Sequence, residues 1–315
     1  MAASPTTPLP HERFGNFVLL AETERSSLTT DYRAAHLGEA GFDRLVQLVR
    51  FAPSCIPGAP DAFVEHVRAA GKVGAPGLLK ALGTGRSGAA WLSYEYTAGR
   101  SLRAVLERAR EEGFPLSQDN ALEITRQVCI SLEKVHARTL SGGATLIHGY
   151  VAPWSVMLSF DGAVRLRGFG LWAGRALGGL PDDEAGTLAP EQAEDRADVR
   201  TDVYGLGALL LASLRGAPLP RGVDLRTLVA ETTDSEGAPL PVPLAATIER
   251  ALSPRPETRQ QGPAEVRQEL EALLFAGDVA PTTFNLAFYM ETLYRDTIEQ
   301  DARAIVEETQ ADYQS

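Results

Sequence analysis

Residues 146–170 read LIHGYVAPWSVMLSFDGAVRLRGFG. Two apolar runs, VMLS at 156–159 and AVRLR at 163–167, flank Asp161-Gly162, a pair that favours a tight turn. The stretch therefore predicts a loop, a short β-hairpin and an exit through Gly168-Phe169-Gly170. It has the outline of a catalytic loop, yet its polar side chains up to the turn are His148, Tyr150, Trp154, Ser155 and Ser159, with no acid before Asp161.

On the N-terminal side, FVLLAET, TTDYRAAHL and RLVQLVRF within 15–51 read as an antiparallel meander. Residues 61–73 place Phe63, Val67, Ala70 and Val73 on one helical face, and AAWLSYEY at 89–96 returns to strand character. After Ser101 the pattern turns helical. A long helix over 117–138 has Ser117 or Asp119 as N-cap and Leu122, Val128, Leu132 and Val135 as its buried stripe, and further helices are predicted over 201–214, 243–252 and 263–274. Residues 278–281 read as a linker. The helix after them has Phe284, Leu286, Phe288, Leu293, Ile298 and Ile305 as its apolar side. The predicted organisation is a flexible leader (1–13), a small sheet-plus-helix lobe (14–97), a larger helical lobe (98–275), and a linker with a C-terminal helical extension (276–315).

Composition narrows the function. The formal net charge of −11, with only Lys72, Lys80 and Lys134 as lysines, opposes nucleic-acid binding. The apolar run GLGALLLASL at 205–214 is about half of what a bilayer needs, so membrane insertion is not expected. Cys55 and Cys129 are too few for a disulfide framework and no signal peptide is evident, so a cytoplasmic location is expected. His11, His36, His66, His136 and His148 are scattered, without metal-site spacing.

The order of the short motifs resembles the protein kinase family, specifically its bacterial, eukaryotic-like (Hanks-type) serine/threonine members, over about residues 15–275. The family's H-R-D-L-K-P-x-N falls without gaps on His148 to Ser155, its D-F-G on Gly168-Phe169-Gly170, and its A-P-E on Ala189-Pro190-Glu191. Asp202 matches the aspartate that braces the catalytic loop, and Arg259 the arginine that pairs with the A-P-E glutamate. The resemblance implies an α+β, bilobal protein kinase-like fold: a small antiparallel-sheet N-lobe, a mostly helical C-lobe, and an extra C-terminal helix. His148, Phe169, Glu191, Asp202 and Arg259 are then structural residues.

Phosphoryl transfer in this family needs a cation on the phosphates, metal ligands and a carboxylate for the attacking hydroxyl. At the matching positions stand Val49 for the lysine, His66 for the helix glutamate (Glu65 if the register differs by one), Tyr150 for the catalytic aspartate, and Ser155 and Gly168 for the metal ligands. Arg50, beside Val49, should face away from the site because strand side chains alternate. The phosphate-covering glycines become Glu24, Ser26 and Thr29. Around the base pocket stand Asp31, Gln47 and Tyr94, with Arg167 before Gly168, and Arg167 is expected to pair with Asp31 or Glu24 and fill the cleft.

The resemblance and these substitutions imply a degenerate member, a pseudokinase that is not an enzyme and uses no cofactor or metal. It would not bind ATP and magnesium in the usual way, and would act as a scaffold or adaptor for another protein. The alternatives are an atypical kinase-fold transferase, with Asp31, Glu24 or the run Asp182-Asp183-Glu184 as acids, and a small-ligand sensor using the remodelled cleft. Tyr150, Trp154 and Trp172 are the candidate partner-binding residues, and the C-terminal helix is a second possible contact. Gly149 replaces the arginine that would receive an activating phosphate, so switching by phosphorylation of the following loop is not expected.

Overall fold

Period-two apolar patterning builds the small lobe, and both faces of its sheet are covered. In the computed structural model, which describes residues 7–55, 58, 60–176, 185–234, 237–275 and 283–313, the first strands are β1 (Thr7–Phe14), β2 (Phe17–Arg25), β3 (Thr29–Gly38) and β4 (Gly41–Phe51). Helix α1 (Pro60–Gly71) follows, then β5 (Ala81–Ser87) and β6 (Ala89–Glu95). The six strands are antiparallel in the order β1-β2-β3-β4-β6-β5. Phe17 and Leu19 join Tyr32, Val46 and Leu48 on one face, while Val18 and Leu20 join Ala35 on the other, beneath Tyr313.

Residues 7–13, expected in a flexible leader, instead form the edge strand β1 together with Phe14. An edge tolerates Pro8 and Pro10, whose missing N–H groups would break an interior ladder, and the pairing with β2 shifts register between Pro8 and Glu12.

A small sheet of β7 (Gly99–Ser101), β8 (Val156–Ser159) and β9 (Val164–Leu166) carries the predicted hairpin into the large lobe. The helices are α2 (Leu102–Glu111), α3 (Gln118–His136), α4 (Val199–Arg215), α5 (Leu225–Glu231), α6 (Val242–Ala251), α7 (Pro263–Leu274) and α8 (Thr283–Gln310). Side chains cap four of them: Ser101 accepts from Ala104 N at 3.1 Å, Ser117 from Asn120 N at 3.2 Å, Asp198 from Arg200 N at 2.7 Å and Asp224 from Arg226 N at 3.1 Å. Each cap stabilises its helix by about 1 kcal/mol. The apolar run at 205–214 lies in α4, buried from Thr201 to Ser213 at the centre of the large lobe's core. Among the described residues, no helix is long and apolar enough to cross a membrane.

Helix α8, kinked at Tyr294, lies on the large lobe through Leu286, Tyr289, Met290, Leu293 and Tyr294. Phe284 and Phe288, expected on its apolar side, face solvent. Beyond the kink α8 reaches the small lobe: Asp301 accepts from Arg33 Nη1 at 2.8 Å and Arg100 Nη2 at 3.1 Å, and Glu308 receives Arg33 Nε at 2.7 Å. The whole is a bilobal, kinase-like α+β fold. The expected linker at 278–281 lies outside the described residues.

Candidate functional site

The loop at 148–155, which matches the family's catalytic loop, is held by buried hydrogen bonds. The Asp202 carboxylate accepts from His148 N at 2.8 Å and Gly149 N at 2.7 Å, and His136 Nε2 lies 2.8 Å from it. Burial opposes its charge, but these hydrogen bonds and the two histidines hold Asp202 below the usual carboxylate range. His148 donates from Nε2 to Arg167 O at 2.8 Å, accepts Tyr150 N–H at Nδ1, and meets Phe169 edge-on with 4.5 Å between ring centres. Burial lowers its pKa and keeps the ring neutral. Arg259 grips Glu191 through both terminal nitrogens at 2.7 and 2.8 Å, a bidentate pair sealed by Thr201 and by Tyr204 beneath the guanidinium.

Inside the cleft, side chains occupy the space that the motif positions frame. Arg167 is fully buried, at 0% exposure. Its Nη1 donates to Asp31 Oδ2, its Nε donates to Trp154 O at 3.2 Å, its Nη2 faces Glu24 at 3.8 Å, and its guanidinium lies 4.3 Å from the Trp154 ring centre. Burial raises the Asp31 carboxyl to about 6 against the pull of Arg167. Glu24 in turn receives Arg103 at 3.2 Å. Asp31 Oδ1, Gln47 Oε1, Trp154 Nε1 and Arg167 Nη2 are buried with no hydrogen-bond partner among the described residues. An orphaned buried polar group costs about 1–3 kcal/mol, so the plug is not an optimised core.

The phosphate-loop segment has become a self-contained turn, with Leu28 N and Thr29 N both donating to Ser26 Oγ. Leu28 drops into the cluster formed by Val49, Tyr94, Tyr150, Trp154 and Met157. A lone leucine inside the polar run ERSSLTT was the available signal for this plug. Tyr94 accepts Gly168 N–H at 2.9 Å, and burial pushes its phenol up. Ser155 Oγ is consumed locally, accepting from Ala152 N and donating to Ala152 O. Gly168 sits at φ +92°, and a Cβ there would lie 2.9 Å from Trp154 Cζ3. The residues present thus do not fit a magnesium ion in the family's manner.

Several expectations are resolved. His66 is the inward residue of α1, bonded through Nδ1 to Ala62 O, whereas Glu65 is spent on Ser141. Arg50 faces away, on Tyr32 and Phe14. Tyr150 and Trp154, taken as exposed anchors for a partner, are each only 2% exposed. Their rings lie 6.3 Å apart and pack in the buried cluster with Leu28, Val49 and Met157. Only Trp172 of the three is partly accessible, packed over Gly149 where a Cβ would come within 2.8 Å of its own. The run Asp182-Asp183-Glu184 lies outside the described residues.

Comparison with known sequences finds similarity to bacterial protein kinases. The chain is 26% identical over 281 residues to the tyrosine-protein kinase MasK of Myxococcus xanthus, covering 83% of this chain and 43% of the relative. This chain is similar to bacterial protein kinases. It is 30% identical over 195 residues to the serine/threonine-protein kinase PknB of Mycobacterium tuberculosis, covering 57% of this chain and 30% of that one. A probable serine/threonine-protein kinase of Corynebacterium efficiens matches at 28% over 243 residues, 68% of this chain and 34% of the relative. No family model matches the chain. It spans less than half the length of these curated relatives. The matches support the protein kinase family. They also overturn the expectation that the chain is not an enzyme, since the relatives carry the names of protein kinases and point to an enzyme.

Proposed function

We propose that this chain is a signalling protein of protein-kinase type that acts as a scaffold or adaptor for another protein, and whose cleft does not take ATP and magnesium in the family's usual way. The observation that carries the second clause is the buried Arg167, held by Asp31 and Trp154 where its guanidinium fills the cleft. Support for the first is a groove of about 630 Å³ between the partly accessible Trp172, Leu188 and the exposed Val223. Aromatic and aliphatic side chains open to solvent in a concave site are typical anchors for a bound protein.

A second reading, an atypical kinase-fold transferase, is favoured by the names of the relatives and by Asp31 and Glu24, the carboxylates retained in the cleft. One melting series separates the two. With ATP and Mg²⁺ or Mn²⁺ at millimolar concentration the melting temperature should move by less than about one degree, whereas saturating a site by 100-fold over its Kd would add about 2.7 kcal/mol and several degrees. Such a stabilisation would favour the transferase. Partner capture with the wild type and with Trp172→Ala tests the groove: a partner retained equally by both removes it as the docking site.

A further inference from the structure

A cavity of about 460 Å³ lies apart from the Arg167–Asp31 pair, between the C-terminal end of α1, the segment 74–81, residues 95–97 at the end of β6 and the middle of β9. Its walls are pinned by main chain: Leu79 N donates to Leu166 O at 2.9 Å, Leu166 N to Gly77 O at 2.8 Å, and Glu95 N to Lys80 O at 3.0 Å. Short side chains keep it open, among them Ala70, Ala75 and Ala81, and a Cβ added at Gly74 would meet nothing within 4 Å. The space is therefore preformed, as ligand cavities usually are.

Its lining is divided by chemistry. Leu79, Leu92 and Phe169 give a buried apolar floor. At the rim Lys80 is neutralised by Glu95 at 2.8 Å. Arg165 is different. It alternates outward between the buried Val164 and Leu166, and its Nη1 donates to the Thr97 hydroxyl at 2.9 Å. Among the described residues no carboxylate forms an ion pair with it, while Asp161, hydrogen-bonded to Ser159, lies near enough to feel its charge. A chain of net charge −11 thus presents, at the mouth of an apolar pocket, a half-buried guanidinium without an ion-pair partner. A planar guanidinium offers paired N–H donors matched to a carboxylate.

We propose that this cavity binds a small organic carboxylate with an apolar or aromatic body, its acid on Arg165 and its body against Leu79, Leu92 and Phe169. The inference does not rest on protein docking or on the state of the front cleft. An occupant would also touch Tyr94, which holds Gly168 N–H one residue from Arg167.

The test is calorimetric titration of the full chain with 4-phenylbutyrate and with its uncharged counterpart 4-phenylbutan-1-ol. Expected is saturable binding of the acid, about tenfold or more weaker binding of the alcohol, and a similar loss for the acid in Arg165→Gln. Arg165→Lys should recover part of the affinity. Ala75→Trp, which fills the cavity from a loop position, should abolish binding, and Trp172→Ala on the other groove should leave it unchanged. Circular dichroism and melting of each variant establish that it is folded. Equal binding of acid and alcohol, binding indifferent to both Arg165→Gln and Ala75→Trp, or no saturable binding of the acid to the wild type would overturn the proposal.

Discussion

Replacing Arg167 by methionine removes the cation that donates to Asp31 and leaves a carboxylate in the buried cleft. Breaking a buried pair ordinarily costs about 3–5 kcal/mol. Here the loss at neutral pH has a ceiling, because Asp31 can take up a proton instead. With its carboxyl already at about 6 in the native protein, protonation at pH 7 lies only about 1 kcal/mol away. Loss of the contact over the Trp154 ring and of the hydrogen bond to Trp154 O adds about 1–2 kcal/mol. The sum is about 2–3 kcal/mol at pH 7. The sign with pH follows from linkage: in the variant the folded chain holds a proton that the unfolded chain releases, so stability falls by about 1.4 kcal/mol per unit as pH rises. The wild type loses stability through this group only from the unfolded value near 3.8 up to about 6, and is flat above it. Urea unfolding followed by tryptophan fluorescence at pH 5.5, 7 and 8.5 should therefore show the penalty of Arg167→Met growing by about 2 kcal/mol between the last two. The double variant Arg167→Met with Asp31→Val should lose that pH dependence and be more stable than Arg167→Met at pH 8.5. A penalty equal at all three pH values, or a double variant no better than the single one, would refute the reasoning.

Other outcomes follow from the same geometry. Gly168→Asp forces a side chain onto a left-handed backbone against Trp154 and should lower stability by about 2–4 kcal/mol without creating a Mg²⁺-dependent shift in melting, read by thermal denaturation with and without the ion. Asp301→Ala strips Arg33 and Arg100 of their shared carboxylate and should cost about 2–4 kcal/mol, or several degrees of melting temperature, with Glu308 retaining part of the Arg33 pairing. Asp202→Asn should flatten the acid limb of the stability profile: its carboxylate is held low in the folded state, so its contribution is present above the unfolded value and lost as pH falls through the folded one. Urea midpoints across pH 2–6 check this.

The braces were legible because each is a local motif whose partner is fixed by the fold: His148, Asp202 and the Glu191–Arg259 pair all sit where the motif alignment placed them. The Arg167–Asp31 contact was legible for another reason, since a lone arginine and a lone aspartate at positions facing one pocket have few other ways to be buried. Tyr150 and Trp154 were misjudged because an aromatic side chain suits a core and an interface equally, and only the volume available decides. In α8 two overlapping apolar stripes competed, and the one with Leu286, Met290 and Leu293 won because it meets the large lobe's core. The contacts of Asp301 with Arg33 and Arg100 carry no sequence signal, being made across separations of 268 and 201 residues.

Those contacts have a mechanical consequence. In two lobes joined by a short hinge, opening and closing is normally a soft coordinate. Here Arg33 belongs to the sheet of the small lobe, α8 is seated on the large lobe by Tyr289, Met290 and Tyr294, and the buried Asp301 and the half-buried Glu308 join the two by charge. Widening the cleft must either pull apart that charged seam or lift Tyr313 from the back of the sheet. Lobe angle and attachment of the C-terminal helix are therefore one thermodynamic variable. Whatever peels α8 away lowers the stiffness of the cleft, and whatever wedges the cleft open loosens α8, by the same free energy in either direction.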